Sequence, residues 1–158
     1  LTGHPEVFKE ALAAYEQHAR ALSPEAIGAL PLAGLPIASV LAYLLSIPMG
    51  YPRPPKKHGT QNTIEGGVAE GSELLLIDDL ATRGVSALAA LPLLREKYRI
   101  QKLLVLIDRQ SGAQERLAQE GVSLHSVFQL RDLLEFWKHE QLITTEQYTD
   151  VQNFLSES

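Results

Sequence analysis

Hydrophobic residues occur along this chain in two patterns, and each pattern predicts a different kind of element. In the first, apolar residues such as Phe8, Leu12 and Tyr15 recur every three or four positions, which predicts a helix that ends near Leu22. In the second, short continuous apolar runs predict strands that are buried on both faces: residues 26–30, 47–51, 73–77 and 102–107. Further helices are predicted at 35–46, 84–98, 113–120 and 130–140, with a last one around Tyr148 and Leu155, and an extended segment at 122–128.

The alternation of strands and helices predicts the fold class. Buried strands separated by helices are typical of an α/β protein with a doubly wound, mainly parallel sheet and helices on both faces. A chain of 158 residues fits one domain, residues 1–158. Ligands of such folds bind beyond the carboxyl ends of the strands, which directs attention to the residues after Leu30, Tyr51, Ile77 and Ile107.

Composition and charge exclude several classes of function. The uncharged run 26–51 is long enough to span a membrane. However, Pro31, Pro36 and Pro48 divide it into short pieces, so we predict a buried core and no membrane insertion. A net charge of −5 argues against a general nucleic-acid binder. With no cysteine in the chain, any metal must be held by oxygen or imidazole ligands.

Two acidic residues and a hydroxyl-rich turn follow the run 73–77. Asp78 and Asp79 are followed by Thr82, Gly84 and Ser86, and then by a predicted helix. Glycine allows close backbone approach, hydroxyls donate hydrogen bonds, and a helix N-terminus favours an anion, so this turn predicts a phosphate cradle. Two acids beside an anion are unfavourable unless they hold ribose hydroxyls or a magnesium ion that accompanies pyrophosphate. The alternative is that the two acids only cap a turn or a helix.

The apolar periodicity disappears between residues 52 and 71. This segment contains the basic cluster Arg53, Lys56, Lys57 and His58, together with several glycines. A loop of this length is usually either functional or disordered. We interpret it as a basic lid that faces the anion cradle, the alternative being a solvated surface loop.

Residues 77–86 read Ile-Asp-Asp-Leu-Ala-Thr-Arg-Gly-Val-Ser, and this order resembles the fingerprint of the type I phosphoribosyltransferases. Further segments resemble, in the same order, parts of the orotate phosphoribosyltransferase family. They are similar to its pyrophosphate loop, its mobile catalytic loop, its base-binding strand end and its late strand and helix: residues 32–38, 51–66, 105–112 and 124–134. The resemblance covers nearly the whole chain.

The resemblance implies a role for each candidate residue. Asp78 and Asp79 would face the ribose hydroxyls, with Mg2+ carried nearby by the pyrophosphate. Lys56 and His58 would close over the pyrophosphate as further catalytic residues. Arg109 would bind the carboxylate of the base. The remaining substrate-binding residues would be Thr82, Arg83, Gly84, Val85 and Ser86 at the 5′-phosphate, and Ala33, Gly34, Arg53 and Lys57 at the pyrophosphate.

The reaction implied by the resemblance is transfer of a phosphoribosyl group from phosphoribosyl pyrophosphate to orotate. Its products are orotidine 5′-monophosphate and pyrophosphate, in the de novo synthesis of UMP. The resemblance also implies a cytoplasmic homodimer in which each lid serves the neighbouring subunit's site. A binding module that senses a nucleotide or phosphoribosyl pyrophosphate, or a transferase for a different base, is the alternative.

The sequence departs from the family pattern at several positions. Pro54 and Ala33 stand where the family often has lysine, and Val85 replaces a small or hydroxyl-bearing residue. The chain also starts at the helix that should follow an N-terminal hood, so we expect this hood to be missing from the sequence. The two acids and the lid residues favour the enzyme, whereas Ala33 and the missing hood favour the sensor.

Overall fold

The computed structural model describes residues 2–53 and 63–156. The helices within these residues are α1 (Pro5–Leu22), α2 (Gly34–Leu45), α3 (Val85–Arg95), α4 (Ala113–Gln119), α5 (Leu130–His139) and α6 (Thr145–Ser156). The strands are β1 (Ala26–Ala29), β2 (Met49–Pro52), β3 (Ile64–Gly66), β4 (Glu73–Ala81), β5 (Arg99–Asp108) and β6 (Ser123–Gln129).

The described strands form one sheet in the order β3-β2-β1-β4-β5-β6. All neighbours are parallel except the edge strand β3, which pairs antiparallel with β2. The strand order reverses at β1, because β2 lies on one side of it and β4 on the other. This reversal is the topological switch point at which such sheets bind ligands.

Helices cover both faces of the sheet, so the predicted fold class is confirmed. On one face, α1 and α2 bury residues such as Leu41 against Leu75 and Ile77 of β4. On the other, α3 and α4 bury residues such as Leu94 against Leu74 and Leu76 of the same strand. Successive residues of β4 therefore serve opposite cores, which explains why this strand reads as a continuous apolar run.

The uncharged run 26–51 forms β1, α2 and the start of β2. Its residues Ile27, Ile37 and Leu41 are buried in the core, whereas Leu32 and Tyr43 are exposed, so only part of the run is core. Among the described helices, none is long and apolar enough to cross a membrane.

Several predicted boundaries are wrong because they depend on partners distant in sequence. The strand predicted at 73–77 continues to Ala81, since Leu80 and Ala81 still pair with Ile107 and Asp108 of β5. Asp78 and Asp79 therefore lie inside the strand and not after it. The loop predicted at 52–71 contains β3, whose residue Ile64 pairs with Pro52. The helix predicted at 84–98 ends at Arg95.

The turn after β1 lies unusually close to β4. The amide of Leu30 donates to the carbonyl oxygen of Ile77 at 3.0 Å, and the amide of Gly34 donates back to Leu30 at 3.1 Å. A Cβ atom added to Gly34 would lie 2.4 Å from that Ile77 oxygen. Glycine is needed here because backbone atoms of β4 fill the space that a side chain at position 34 would occupy. Backbone atoms, unlike the end of a flexible side chain, cannot easily move aside.

We predict that Gly34→Ala destabilises the protein, because the turn must move away from β4 to make room for the methyl group. The expected loss is about 1–3 kcal/mol, as for other overpacked sites, measured by urea denaturation. Gly67→Ala is the matched control, since no atom of the described residues lies within 4 Å of its added Cβ. Equal stability of the two variants would contradict the close approach.

Candidate active site

The turn between β4 and α3 forms a small pocket of about 60 Å³. Helix α3 begins at Val85, and among the described residues no side chain caps its N-terminus. Its first N–H groups therefore offer hydrogen bonds to an anion. The pocket is lined by the predicted cradle residues Thr82, Gly84, Val85 and Ser86 together with Asp78 and Ala81, among others. This geometry supports the prediction of a phosphate cradle.

Gly84 determines the shape of this turn. Its φ of +67° lies in the left-handed region that favours glycine. Its carbonyl oxygen accepts the first hydrogen bond of α3, from Leu88 at 2.9 Å. The neighbouring Arg83 is exposed, and its carbonyl accepts a hydrogen bond from the Arg116 guanidinium at 3.0 Å. The turn is thus fixed to both α3 and α4.

Asp78 and Asp79 open onto different pockets. Neighbouring residues of a strand point to opposite faces of the sheet, and Asp78 accordingly lines the cradle. Asp79 instead lines a pocket of about 140 Å³ together with Ala33 of the turn after β1 and Phe8 of α1, among others. The carboxylate pair therefore lies between the cradle, which is predicted to bind the 5′-phosphate, and the Ala33 pocket, which is predicted to bind the pyrophosphate.

Burial raises the pKa of Asp78 to about 6, and the negative charge of Asp79 acts in the same direction. A hydrogen bond from the Asp79 amide to Asp78 Oδ1, at 3.0 Å, opposes this rise. Ionised Asp78 is therefore costly in the folded protein. A cation or a hydroxyl donor at this carboxylate would relieve that cost.

Arg109 lies next to the cradle, at the end of β5. Its amide donates to the carbonyl of Ala81 at 2.9 Å. Its guanidinium carbon lies 5.4 Å from the centroid of the Phe154 ring on α6, within the range of a cation–π contact. Arg109 and Phe154 line a pocket of about 190 Å³ with Thr82, Arg83 and Ser111. The predicted base-binding arginine thus adjoins the predicted phosphate site.

The turn that carries Arg109 is held by the residue before it. Asp108 is only 5% exposed, and its Oδ1 accepts a hydrogen bond from the Gln110 amide at 2.8 Å. Gln110 has a φ of +56°, an uncommon value for a residue with a side chain. Burial raises the pKa of Asp108. This carboxylate therefore stabilises the turn next to Arg109.

Arg53 directly follows β2 and forms an ion pair across to β3. Its Nε lies 2.8 Å from Glu65 Oε1, and its side chain is 13% exposed. Its predicted contact with pyrophosphate stays a prediction. Lys56, Lys57 and His58 lie outside the described residues.

Sequence reasoning missed three residues of the site. Helical periodicity predicts Tyr15 and Phe8 only as the apolar face of α1, and no sequence pattern points to Phe154, yet Tyr15 binds the Asp78 carbonyl, Phe8 lines the Asp79 pocket and Phe154 contacts Arg109. Each contacts the site from an element that is distant in sequence, and helical periodicity predicts burial but not the partner. The apolar run before Asp108 did locate Arg109, because the end of a parallel strand is a local signal.

The sheet, the carboxylate pair and the cradle define the phosphoribosyltransferase class. A solved structure of Leishmania donovani UMP synthase superposes with a TM-score of 0.88 and 31% identity, over 100% of this chain and 35% of that one. The crystal structure of orotate phosphoribosyltransferase from Aeropyrum pernix gives a TM-score of 0.77 and 37% identity, over 87% of this chain and 80% of that one.

Sequence comparison identifies the family within this class. No protein-family model matches the chain. The chain is 35% identical to orotate phosphoribosyltransferase from Pyrobaculum islandicum, over 99% of its own length and 82% of that relative. It belongs to the orotate phosphoribosyltransferase family.

We predict that Asp78→Asn stabilises the unliganded protein near neutral pH. The folded-state pKa of about 6 lies above the ordinary aspartate pKa of 3.8. The folded wild type therefore loses stability as pH rises from about 4 to 6, and asparagine removes this loss. The gain should be about 1–3 kcal/mol at pH 7, measured by denaturant unfolding.

The pH dependence distinguishes this effect from a simple change in packing. The gain should shrink towards pH 4, where the folded carboxyl is already protonated. The control is Asp132→Asn on the exposed surface of α5. A gain that does not change with pH would contradict the prediction.

Proposed function

We propose that the chain transfers the phosphoribosyl group of phosphoribosyl pyrophosphate to orotate, which gives orotidine 5′-monophosphate and pyrophosphate. One observation carries the proposal. The parallel neighbours β1, β4 and β5 all end at the same edge of the sheet. That edge therefore holds the Ala33–Gly34 turn, the carboxylate pair, the cradle and Arg109, which match the pyrophosphate, ribose, phosphate and base of the two substrates. Membership of the orotate phosphoribosyltransferase family supports this assignment.

The reaction replaces one bond at the anomeric carbon of the ribose by another. The bond from C1′ to the pyrophosphate oxygen breaks, and its electron pair leaves with the pyrophosphate. A bond from a ring nitrogen of orotate to C1′ forms, and that nitrogen loses its proton. Positive charge develops on the ribose and negative charge on the leaving group, so groups already oriented towards these charges lower the barrier.

The chain's own residues would bind the two ends of the donor substrate. The cradle of residues 82–86 would hold the 5′-phosphate through the N-terminus of α3. Asp78 and Asp79 would accept hydrogen bonds from the ribose hydroxyls, and their charge would favour the positive ribose of the transition state. Arg109 would pair with the orotate carboxylate next to the cradle.

Asp78 and Asp79 also fit a magnesium ion. Carboxylate oxygens are the ligands that Mg2+ prefers, and Mg2+ is commonly bound by one or two carboxylates plus substrate phosphates. The raised pKa of Asp78 is the electrostatic signature of a carboxylate that a cation would stabilise. Over residues 2–53 and 63–156, no group of three or more acidic, histidine or cysteine side chains is arranged to hold a metal ion, so in this proposal substrate phosphates would complete the coordination. Bound Mg2+ would neutralise charge on the departing pyrophosphate.

The basic lid and the dimer belong to the same proposal, and both rest on the family resemblance. Lys56 and His58 would close over the pyrophosphate, with Arg53 and Lys57 beside them. In the orotate family this loop reaches the neighbouring subunit's site, so we propose a homodimer with shared lids. The proposed setting is cytoplasmic pyrimidine synthesis.

A direct assay tests the proposed function. The chain is mixed with phosphoribosyl pyrophosphate, Mg2+ and orotate, and the loss of orotate absorbance is followed over time. Absorbance should fall only when all three are present, and an Asp78→Asn/Asp79→Asn variant should be inactive. Binding of phosphoribosyl pyrophosphate by the wild type without any turnover would instead support the sensor.

We predict that Arg109→Ala weakens the binding of orotate and leaves the binding of phosphoribosyl pyrophosphate almost unaffected. A charge-assisted hydrogen bond contributes about 1.5–3 kcal/mol, so KM for orotate should rise roughly 10- to 100-fold. The control is Arg99→Ala, because Arg99 starts β5 and pairs with Glu25 at the opposite edge of the sheet. If KM rises equally for both substrates, Arg109 has only a structural role.

The shared lid predicts complementation between two inactive variants. Lys56→Ala should lower turnover by orders of magnitude while cradle affinity stays nearly constant, because its charge acts mainly on the departing pyrophosphate. When subunits of Lys56→Ala and Asp78→Asn/Asp79→Asn exchange, each mixed dimer should regain one intact site, and activity should return. No recovery after confirmed exchange would show that the lid does not act on the neighbouring subunit.

A further inference from the structure

Tyr15 contacts the backbone of the carboxylate pair from α1. Its side chain is fully buried, with 0% exposure. Its hydroxyl donates a hydrogen bond to the carbonyl oxygen of Asp78 at 2.7 Å, although the two residues are 63 positions apart. The tyrosine thus connects α1 to β4 at the point where the acids lie.

Both polar groups of one peptide bond are bound by side chains at this point. The carbonyl of Asp78 accepts the Tyr15 hydroxyl, and the amide of Asp79 donates to Asp78 Oδ1 at 3.0 Å. These groups belong to the single peptide unit that joins the two acids. Fixing the plane of that unit fixes the directions in which the side chains on either side leave the backbone.

The sheet gives this peptide little support on the β1 side. The pairing of β1 with β4 ends at Ala29 and Ile77, and the next contact is the hydrogen bond from Leu30 to Ile77. Asp78 and Asp79 therefore extend beyond β1. At Asp78, which β4 still pairs with Val105 of β5, the Tyr15 hydroxyl adds a hydrogen bond from outside the sheet.

The surroundings also keep the Tyr15 hydroxyl protonated. Burial raises the pKa of Tyr15, and the charges of Asp79 and Asp78 raise it further. The hydroxyl therefore remains a hydrogen-bond donor throughout the range in which the protein would work.

We propose that Tyr15 is a positioning residue for the Asp78–Asp79 pair, holding the peptide between the two carboxylates so that one faces the cradle and the other faces the Ala33 pocket. This inference rests on the proposed function in assigning the pair to the ribose. A purely structural tyrosine would affect stability alone. A positioning tyrosine must also affect the substrate that the two carboxylates contact.

The test compares Tyr15→Phe with Tyr98→Phe. Phenylalanine keeps the ring of Tyr15 and removes only its hydroxyl. Tyr98 is 8% exposed and packs in the hydrophobic cluster on the other face of the sheet, so Tyr98→Phe is the matched control. For each variant, we would measure the melting temperature, the affinity for phosphoribosyl pyrophosphate with Mg2+ by calorimetry, and both KM values.

Tyr15→Phe should lower the affinity for phosphoribosyl pyrophosphate roughly 10-fold, which is the effect expected from the loss of one buried hydrogen bond. KM for orotate should stay within about twofold of wild type, because Arg109 is carried by a different strand. Tyr98→Phe should leave both values unchanged. If Tyr15→Phe lowers only the melting temperature, or weakens the binding of both substrates equally, the proposal is overturned.

Calorimetry and amide hydrogen exchange separate the remaining outcomes. Calorimetry does not require turnover, so an inactive wild type whose affinity for phosphoribosyl pyrophosphate still falls in Tyr15→Phe would refute orotate transfer and uphold the positioning role. If Tyr15→Phe does not fold, amide hydrogen exchange of the wild type decides. The Asp79 amide, which donates to Asp78 Oδ1 in the held peptide, should exchange as slowly as the core of β5, and exchange at loop rates would overturn the proposal.

Discussion

Strand β4 is longer than its neighbour β1, and the rest of the site depends on this difference. Pairing with β1 stops at Ile77, whereas pairing with β5 continues to Ala81. The chain after β1 turns away into α2 and leaves one side of β4 open. The crevice at the switch point is this open side, and the acids occupy it. Gly34 is constrained for the same reason, since the turn that leaves β1 must pass against the carbonyl of Ile77.

The open side of β4 also explains why the carboxylates are energetically costly. Asp78 is partly buried beside a second acid, and its pKa is raised to about 6. Desolvation and like charge both oppose its ionised form. The leucines and isoleucine that precede it on β4 are buried on both faces, and this packing stabilises the strand that the acids weaken. Strain of this kind is common where a protein binds a charged ligand.

The parts that the sequence predicted share one property, which is that their signal is local. The apolar runs predicted β1, β4 and β5, and the acids, glycine and hydroxyls after Ile77 predicted the cradle. The end of β4 was placed too early because its last pairs are made with β5, about 27 residues away along the chain. Strand β3 was missed for a similar reason. Its three residues carry no periodicity and are ordered by pairing with β2.

The first and last helices of the chain reach opposite ends of the site. Tyr15 of α1 binds the peptide between the acids, where the ribose is proposed to lie, and Phe154 of α6 packs on Arg109, where the base is proposed to lie. Neither helix supplies a residue of the family fingerprint. Their packing nevertheless fixes a backbone at one end of the site and a guanidinium at the other. The geometry of the site therefore depends on α1 and α6 being packed against the sheet. In the proposed function, two residues that the sequence presents as part of the scaffold would help to orient both substrates.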